Sequence, residues 1–248
     1  MKKLALTIVS AMVVTGGAFA QGYVNWNIAT ADVTIVTNST AYSPLFGGGT
    51  TGTGAVGPTV TVASSFDYAL LTSAAVLSTD TAVWDGTWTG AAGNNGVNMT
   101  GVNTTGLSHG GVAPATVNGQ SGTGVQVNWA NGTTQSVVLV GWSAYLGTTW
   151  ASVSNILSAL AAGNNAPLAA QTGGAAAFFG ETVIGDVNPA ASSPGNNIFS
   201  TSTTATATGT PIFELNTPLY LLPVPEPTTL ALAGLGGLAL ALFRRQRK

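Results

Sequence analysis

The chain has 248 residues, of which only 6% are charged, with one histidine and no cysteine. All six Lys and Arg lie near its ends (Lys2, Lys3, Arg244, Arg245, Arg247 and Lys248), so the formal net charge of -2 conceals a body, residues 21–224, with seven carboxylates and no cation. Such a body excludes nucleic-acid binding, which needs cations to displace counterions from phosphate, and lacks the usual clamp of phosphoryl transfer; without cysteine it also has no disulfide, catalytic thiolate or Cys-ligated zinc.

Lys2 and Lys3 form a positive start, residues 4–14 an apolar run, and Ala18, Phe19 and Ala20 a small-residue cleavage site. Positive charge, apolar core and A-x-A in that order make a secretory signal peptide, handled by the Sec translocon and signal peptidase, with the mature chain starting at Gln21. The chain therefore divides into a signal peptide (1–20), a β-rich extracytoplasmic domain (21–222) and a C-terminal segment (223–248). About 200 residues suffice for one hydrophobic core.

Short apolar alternations separated by Gly, Asn, Ser, Thr and Pro predict strands at 23–28, 32–37, 59–63, 66–71, 124–130, 135–142, 175–179, 182–186, 211–215 and 219–222. Asn131-Gly132 is a hairpin-type signal, which predicts antiparallel pairing of the strands on either side, and Asp85-Gly86 offers a second turn between Trp84 and Trp88. One segment is helical in pattern. Trp150, Val153, Ile156, Leu157 and Leu160 fall on one face, with Thr148 or Thr149 to cap the start and Gly163 to end it. The expected fold is mainly β: a β-sandwich, with a jelly roll as one form of it, one amphipathic helix closing an end or an edge, and a hydrophobic helix at each terminus. Residues 47–57, 91–124 and 190–208 read as long loops or partly disordered segments.

Motifs of catalysis are thin. Gly106, Ser108 and Gly110 spell G-x-S-x-G, but the flanks are neither strand nor helix, and His109, the only histidine, adjoins the serine instead of standing apart as a base. Gly47, Gly49 and Gly52, and again Gly52, Gly54 and Gly57, match a dinucleotide pattern, yet Pro58 and alternating Thr and Val follow where a helix is required. No cofactor or metal is expected: Asp80 with Asp85, or Asp186 with Asn188, offer oxygen ligands without any calcium-loop spacing. Asn38, Asn98, Asn103 and Asn131 begin N-x-S/T sequons.

At the C-terminus, Val224, Pro225, Glu226 and Pro227 lead into an apolar stretch, 230–243, that stops at Arg244, Arg245, Gln246, Arg247 and Lys248. As a helix this stretch rises roughly 21 Å, or about 25 Å counted from Pro227, against a hydrocarbon core of about 30 Å: a marginal span. The basic cluster would stay cytoplasmic and leave the body outside. Gly234, Gly236 and Gly237 give the segment a small-residue face suited to close helix contact. This order of motif, helix and basic end resembles the PEP-CTERM sorting signal of exported bacterial proteins. The resemblance implies recognition by a membrane-embedded exosortase, processing near Pro225–Pro227, membrane attachment through 228–243 beforehand, and passage to the cell surface or extracellular matrix.

Three functions are compatible with this chain. The leading one is a non-enzymatic surface or matrix component associated with exopolysaccharide or biofilm. A carbohydrate-binding module predicts exposed indoles, with Trp84, Trp88 and Trp26 as the rings to stack on extracellular polysaccharide. A glycan-active enzyme predicts two carboxylates about 5–10 Å apart across a cleft.

Overall fold

Two strands with continuous apolar runs, 68–71 and 137–142, form the centre of the molecule. β3 (Phe66–Ser73) and β8 (Gln135–Ser143) pair antiparallel from Phe66 opposite Ser143 to Ser73 opposite Ser136. Successive side chains of a strand point to opposite faces, so each of the two must be covered twice. Phe66, Tyr68, Leu70, Val137 and Leu139 enter one core, and Ala69, Leu71, Val138, Val140 and Trp142 enter another. The computed structural model describes residues 21–27, 33–46, 66–77, 82–93, 98–103, 112–114, 122–202, 204, 206 and 209–223. The predicted strand 59–63, the glycine motifs within 47–57 and the Gly106–Gly110 motif lie outside these residues.

The large sheet has nine strands. Its main path runs β2 (Val33–Tyr42), β12 (Glu214–Leu221), β9 (Phe178–Glu181), β8, β3, β5 (Thr100–Asn103) and β6 (Val112–Pro114), with β10 (Gly185–Val187) on β8 and β4 (Thr89–Gly90) on β3. A second sheet of three strands, β11 (Asn196–Asn197), β1 (Gln21–Asn25) and β7 (Val125–Ala130), packs on one face through Val24, Val125, Val127 and Trp129. Helices α1 (Trp150–Ala161) and α2 (Ala166–Thr172) cover the other face with Val153, Ile156, Leu157, Leu160 and Leu168. The result is a β-sandwich with a helical third layer.

The predicted helix is present. The Thr149 hydroxyl accepts from Ser152 N at 3.3 Å, and Gly163 takes φ 78° just past the end. Its place differs from expectation: it lies across a sheet face, because four of its stripe residues are buried against β3 and β8 side chains, instead of closing an end or edge. The second helix was not predicted, since its seven residues bury only Leu168 and Thr172, too few for a periodic stripe.

Three further expectations are corrected. The turn at Asn131-Gly132 forms, with Gly132 at φ 88° and Thr133 N bonded to Ala130 O at 3.1 Å, but its flanking strands do not pair. β7 pairs with β1, whereas β8 pairs with β3, β9 and β10. A strand apolar on both faces needs a central position, while β7, buried only at alternate residues, suits an outer sheet. The predicted strands 211–215 and 219–222 are one strand, β12, running through Pro218; β9 pairs with it only at Tyr220 and Leu221, so the missing proline N–H breaks no ladder there. Segments 91–124 and 190–208 hold β5, β6 and β11 and send Ala91, Met99, Ile198 and Phe199 into the core. Parallel pairs, β2 with β12 and β1 with β11, also set the fold apart from a jelly roll.

Tyr68 is 1% exposed, and its hydroxyl meets no hydrogen-bonding partner among the described residues. Burial, with a smaller push from the Asp67 charge, raises its phenol pKa well above the ordinary value of 10.0. A raised phenol pKa means that stability is complete below the ordinary value and is lost as pH rises, because the unfolded chain ionises first; one such group removes about 1.4 kcal/mol per pH unit above pH 10. Tyr68→Phe is therefore expected to gain about 1 kcal/mol at pH 7 by deleting a buried unpaired hydroxyl, and to flatten the alkaline decline. Urea denaturation of the mature chain at pH 7 and pH 11 tests both points. A variant less stable than wild type at pH 7 would show that the hydroxyl has a partner.

Candidate functional site

A polar cleft of about 240 Å³ opens where β10 and β11 meet Ser200, Thr206, Gly209 and Pro211. Asp186, Asn196, Asn197, Ser200 and Thr206 supply its hydrogen-bonding groups. Strand geometry sets each of them. Asp186 donates its N–H to Thr210 O at 2.7 Å, and its Oδ1 accepts from Ser136 Oγ at 2.5 Å. β11 lies parallel to β1, and across that pair Asn197 Oδ1 accepts from Asn25 Nδ2 at 2.9 Å. Asn196 Nδ2 donates to Asn188 O at 2.5 Å. Thr206 and Gly209 exchange backbone bonds in a tight turn with Gly209 at φ 121°; a Cβ there would stand 2.1 Å from Asp186 O, so only glycine lets the turn seat against β10. Amides and hydroxyls around one carboxylate suit a ligand rich in hydroxyl groups, to which each can donate or accept. Periodicity gave no sign of this cleft, which is built from four separate segments.

Two of the three candidate indoles cannot take part in a sugar platform. Trp26 is 0% exposed and Trp88 3%, and both belong to hydrophobic cores, so neither ring can stack on a ligand. Trp84 is half-buried, stacked on Phe46 with centroids 5.0 Å apart and edge-on to Phe179 at 6.3 Å. A body without salt bridges uses its large aromatic areas for packing.

The described carboxylates sit on separate elements. Asp186 is the acid that lines the cleft. Asp85 is exposed and accepts from Thr87 N at 2.8 Å in its turn; Glu214 accepts from Val183 N at 2.8 Å, and Glu181 sits opposite Val140 on β9. Burial raises the pKa of Asp67 above the ordinary carboxylate value. Asp32 and Asp80 lie outside the described residues. Oxygens considered for calcium serve the fold: Asn188 Oδ1 accepts from Gly132 N at 2.8 Å, as Asp186 Oδ1 does from Ser136. Among the described residues no three His, Asp or Glu gather as metal ligands. Of the sequon asparagines, Asn98 and Asn131 are exposed.

The C-terminal segment leaves the body at a defined point. Gln21 opens β1 opposite Ala130, and at the other end of the body Leu222, 1% exposed, donates its N–H to Ala177 O at 2.7 Å one residue after β12. Pro223 is the last described residue. Ala18 and Ala20, the motif Val224–Pro227, the stretch 228–243 and the cluster Arg244, Arg245, Arg247 and Lys248 lie outside the described residues. Among the described residues no helix is long and apolar enough to cross a membrane.

Comparison with curated proteins and with solved structures returns no match. A family model described as the PEP-CTERM protein-sorting motif matches residues 223–248, so its first residue follows directly on Leu222, the last buried residue among those described. The chain is thus an exported protein that carries a PEP-CTERM sorting signal and is sorted as an exosortase substrate.

Proposed function

We propose that the body, residues 21–222, is a structural component of the cell surface or extracellular matrix, associated with exopolysaccharide or biofilm and without catalytic activity of its own. The observation that carries this reading is the junction at residue 223, where the sorting-signal match begins directly after Leu222, a residue buried in the core. Delivery follows from the signals in order. The Sec translocon exports the chain, signal peptidase cuts after Ala20, residues 228–243 hold the intermediate in the membrane, and exosortase processes it near Pro225–Pro227. Two of the carboxylates, Asp85 and Glu214, are tied to backbone N–H groups, which supports a non-catalytic role. The polar cleft beside Asp186 supports contact with a hydroxyl-rich polymer.

The test is the intact mass of the mature chain from envelope and medium, with joint substitution of Pro225, Glu226 and Pro227 by alanine as the comparison. Wild type is expected to run from Gln21 to a C-terminus within 224–227 and to sediment with extracellular polymer whose length it leaves unchanged. The variant is expected to retain Lys248 and stay with the membrane. Trypsin is unsuitable, since the body has no Lys or Arg. A wild-type surface chain that still ends at Lys248, or polymer shortened by the purified protein, would overturn the reading.

A further inference from the structure

We propose that the end of the body from which the tail departs is a membrane-contacting face, resting on the outer leaflet of the membrane that holds residues 228–243. This rests on the reading above that the tail anchors the unprocessed chain.

Several strands of the large sheet end together here. Tyr42 lies opposite Leu221, Leu221 opposite Phe178, Phe179 opposite Trp142, and Ser143 opposite Phe66. Hydrogen bonds fasten two short helical turns around the exit. Ser43 N donates to Leu221 O at 2.9 Å, immediately before the turn Pro44–Phe46. Leu222 N donates to Ala177 O, and the hydroxyl of Tyr145, in the turn Ala144–Leu146, donates to the neighbouring Ala176 O. Each turn presents one large apolar side chain to solvent: Leu45 is 42% exposed and Tyr145 43%. The other exposed large apolar residues among those described, Val76 and Val183, belong to the far half of the sheet. Leu77 N, next to Val76, bonds Ser136 Oγ, and Val183 N bonds Glu214 at the start of β12. Seven residue steps separate Ser136 from Ser143 along β8, about 24 Å at strand rise.

Tether length keeps the first pair within reach of lipid. Six residues, 224–229, join Pro223 to the apolar stretch 230–243, and fully extended they reach at most about 22 Å. The headgroup layer on one side of a bilayer is itself about 5–8 Å deep, so the exit face stays within about 14–17 Å of the headgroup surface and can rest on it. Leucine and tyrosine suit that depth, the second because its ring is apolar and its hydroxyl polar. Two side chains bind weakly in free solution, but the tether makes the contact intramolecular and raises its effective concentration, an advantage that ends when the tail is cut. Asp67, in register with Trp142, and Asp85, beside the Trp84 stacked on Phe46, put negative charge at this end, so zwitterionic headgroups suit it better than anionic ones.

The absence of cysteine allows a direct test. Leu45→Cys, Tyr145→Cys, Val76→Cys and Ala239→Cys, each in the chain 21–248, are labelled with nitrobenzoxadiazole and reconstituted into phosphatidylcholine vesicles containing nitroxide-bearing lipid. Labels at 45 and 145 are expected to be quenched several-fold more than the label at 76, with the label at 239 quenched as an inserted segment. A Gly/Ser spacer of about 20 residues after Pro223 should release the first two and leave 239 unchanged. Quenching at 239 with 45 and 145 no different from 76 overturns the face while leaving the anchor intact. No quenching at 239 removes the anchor, and the proposal falls with it. Equal quenching at all four positions means unspecific adsorption and also overturns it.

Discussion

Gly180→Ala is expected to lose at least about 3 kcal/mol, above the usual 1–3 kcal/mol of an overpacked core and a large share of a total of about 5–15 kcal/mol. Gly180 on β9 faces Gly141 on β8 in register, and the pair leaves room for what crosses it. A Cβ at 180 would stand 2.2 Å from Pro218 O and 3.0 Å from Leu219 Cα, and both are backbone atoms of β12. They can yield only if β9 separates from β12, which breaks the pairing of Tyr220 and Leu221. At Gly141 the neighbour is the Tyr68 ring, 2.6 Å from the added carbon, itself enclosed in the core. Gly141→Ala is accordingly expected to cost less, about 1–3 kcal/mol, because a side chain can shift where a strand cannot. Gly132→Ala has open space and only its left-handed φ to strain, which costs about 1 kcal/mol. Urea denaturation followed by circular dichroism ranks the three. If Gly180→Ala matches wild type, β9 and β12 do not approach this closely.

Local signals were legible in the sequence, and long-range partnerships were not. The stripe from Trp150 to Leu160, with Thr149 and Gly163 as its limits, located α1 because cap, period and stop all act within one segment. β3 and β8 were found at nearly their true bounds because apolar runs between turn residues have no other use in a body without a membrane-length stretch. What failed was assignment of partners. Asn131-Gly132 dictates a reversal of the chain, but the sheet that each flank joins is decided by which faces need covering. The parallel contact of β2 with β12 joins opposite ends of the body, and no periodicity records it. Trp26 and Trp88 illustrate the same limit: an indole near a turn reads alike whether it faces sugar or core, and here both are enclosed. The cleft at Asp186 was hidden because Asn196, Ser200 and Thr206 sit in a stretch whose composition reads as loop, although Ile198 and Phe199 within it mark a docked segment. The sorting signal was readable throughout, since a motif recognised as a linear segment keeps its information in order and spacing.

A chain ending at Pro223 is expected to unfold at the same urea concentration as the chain ending at Lys248, whereas one ending at Phe213 is expected not to fold. The difference is β12. Among the described residues it is the strand on which β2 pairs, through contacts from Val33 opposite Glu214 to Tyr42 opposite Leu221, and it links β2 to β9. Leu219 lies in the core between the sheets and Leu222 in the core beneath the helices, each 1% exposed, so a single strand seals both layers. Removing it forfeits about 1.5–3 kcal/mol for each buried leucine, together with the ladder that holds β2, against a total stability of only about 5–15 kcal/mol. Among the described residues, Leu222 is the last that enters either core. This boundary ties fold to delivery: a cut within Val224–Pro227 frees the body with its last strand intact, and a cut about ten residues earlier would release a chain that cannot keep β2 in place. Urea midpoints of the two truncated chains decide the point. A chain ending at Phe213 that folds cooperatively, or one ending at Pro223 that loses stability, would mean that the sorting segment and the core are not separable where the sequence divides them.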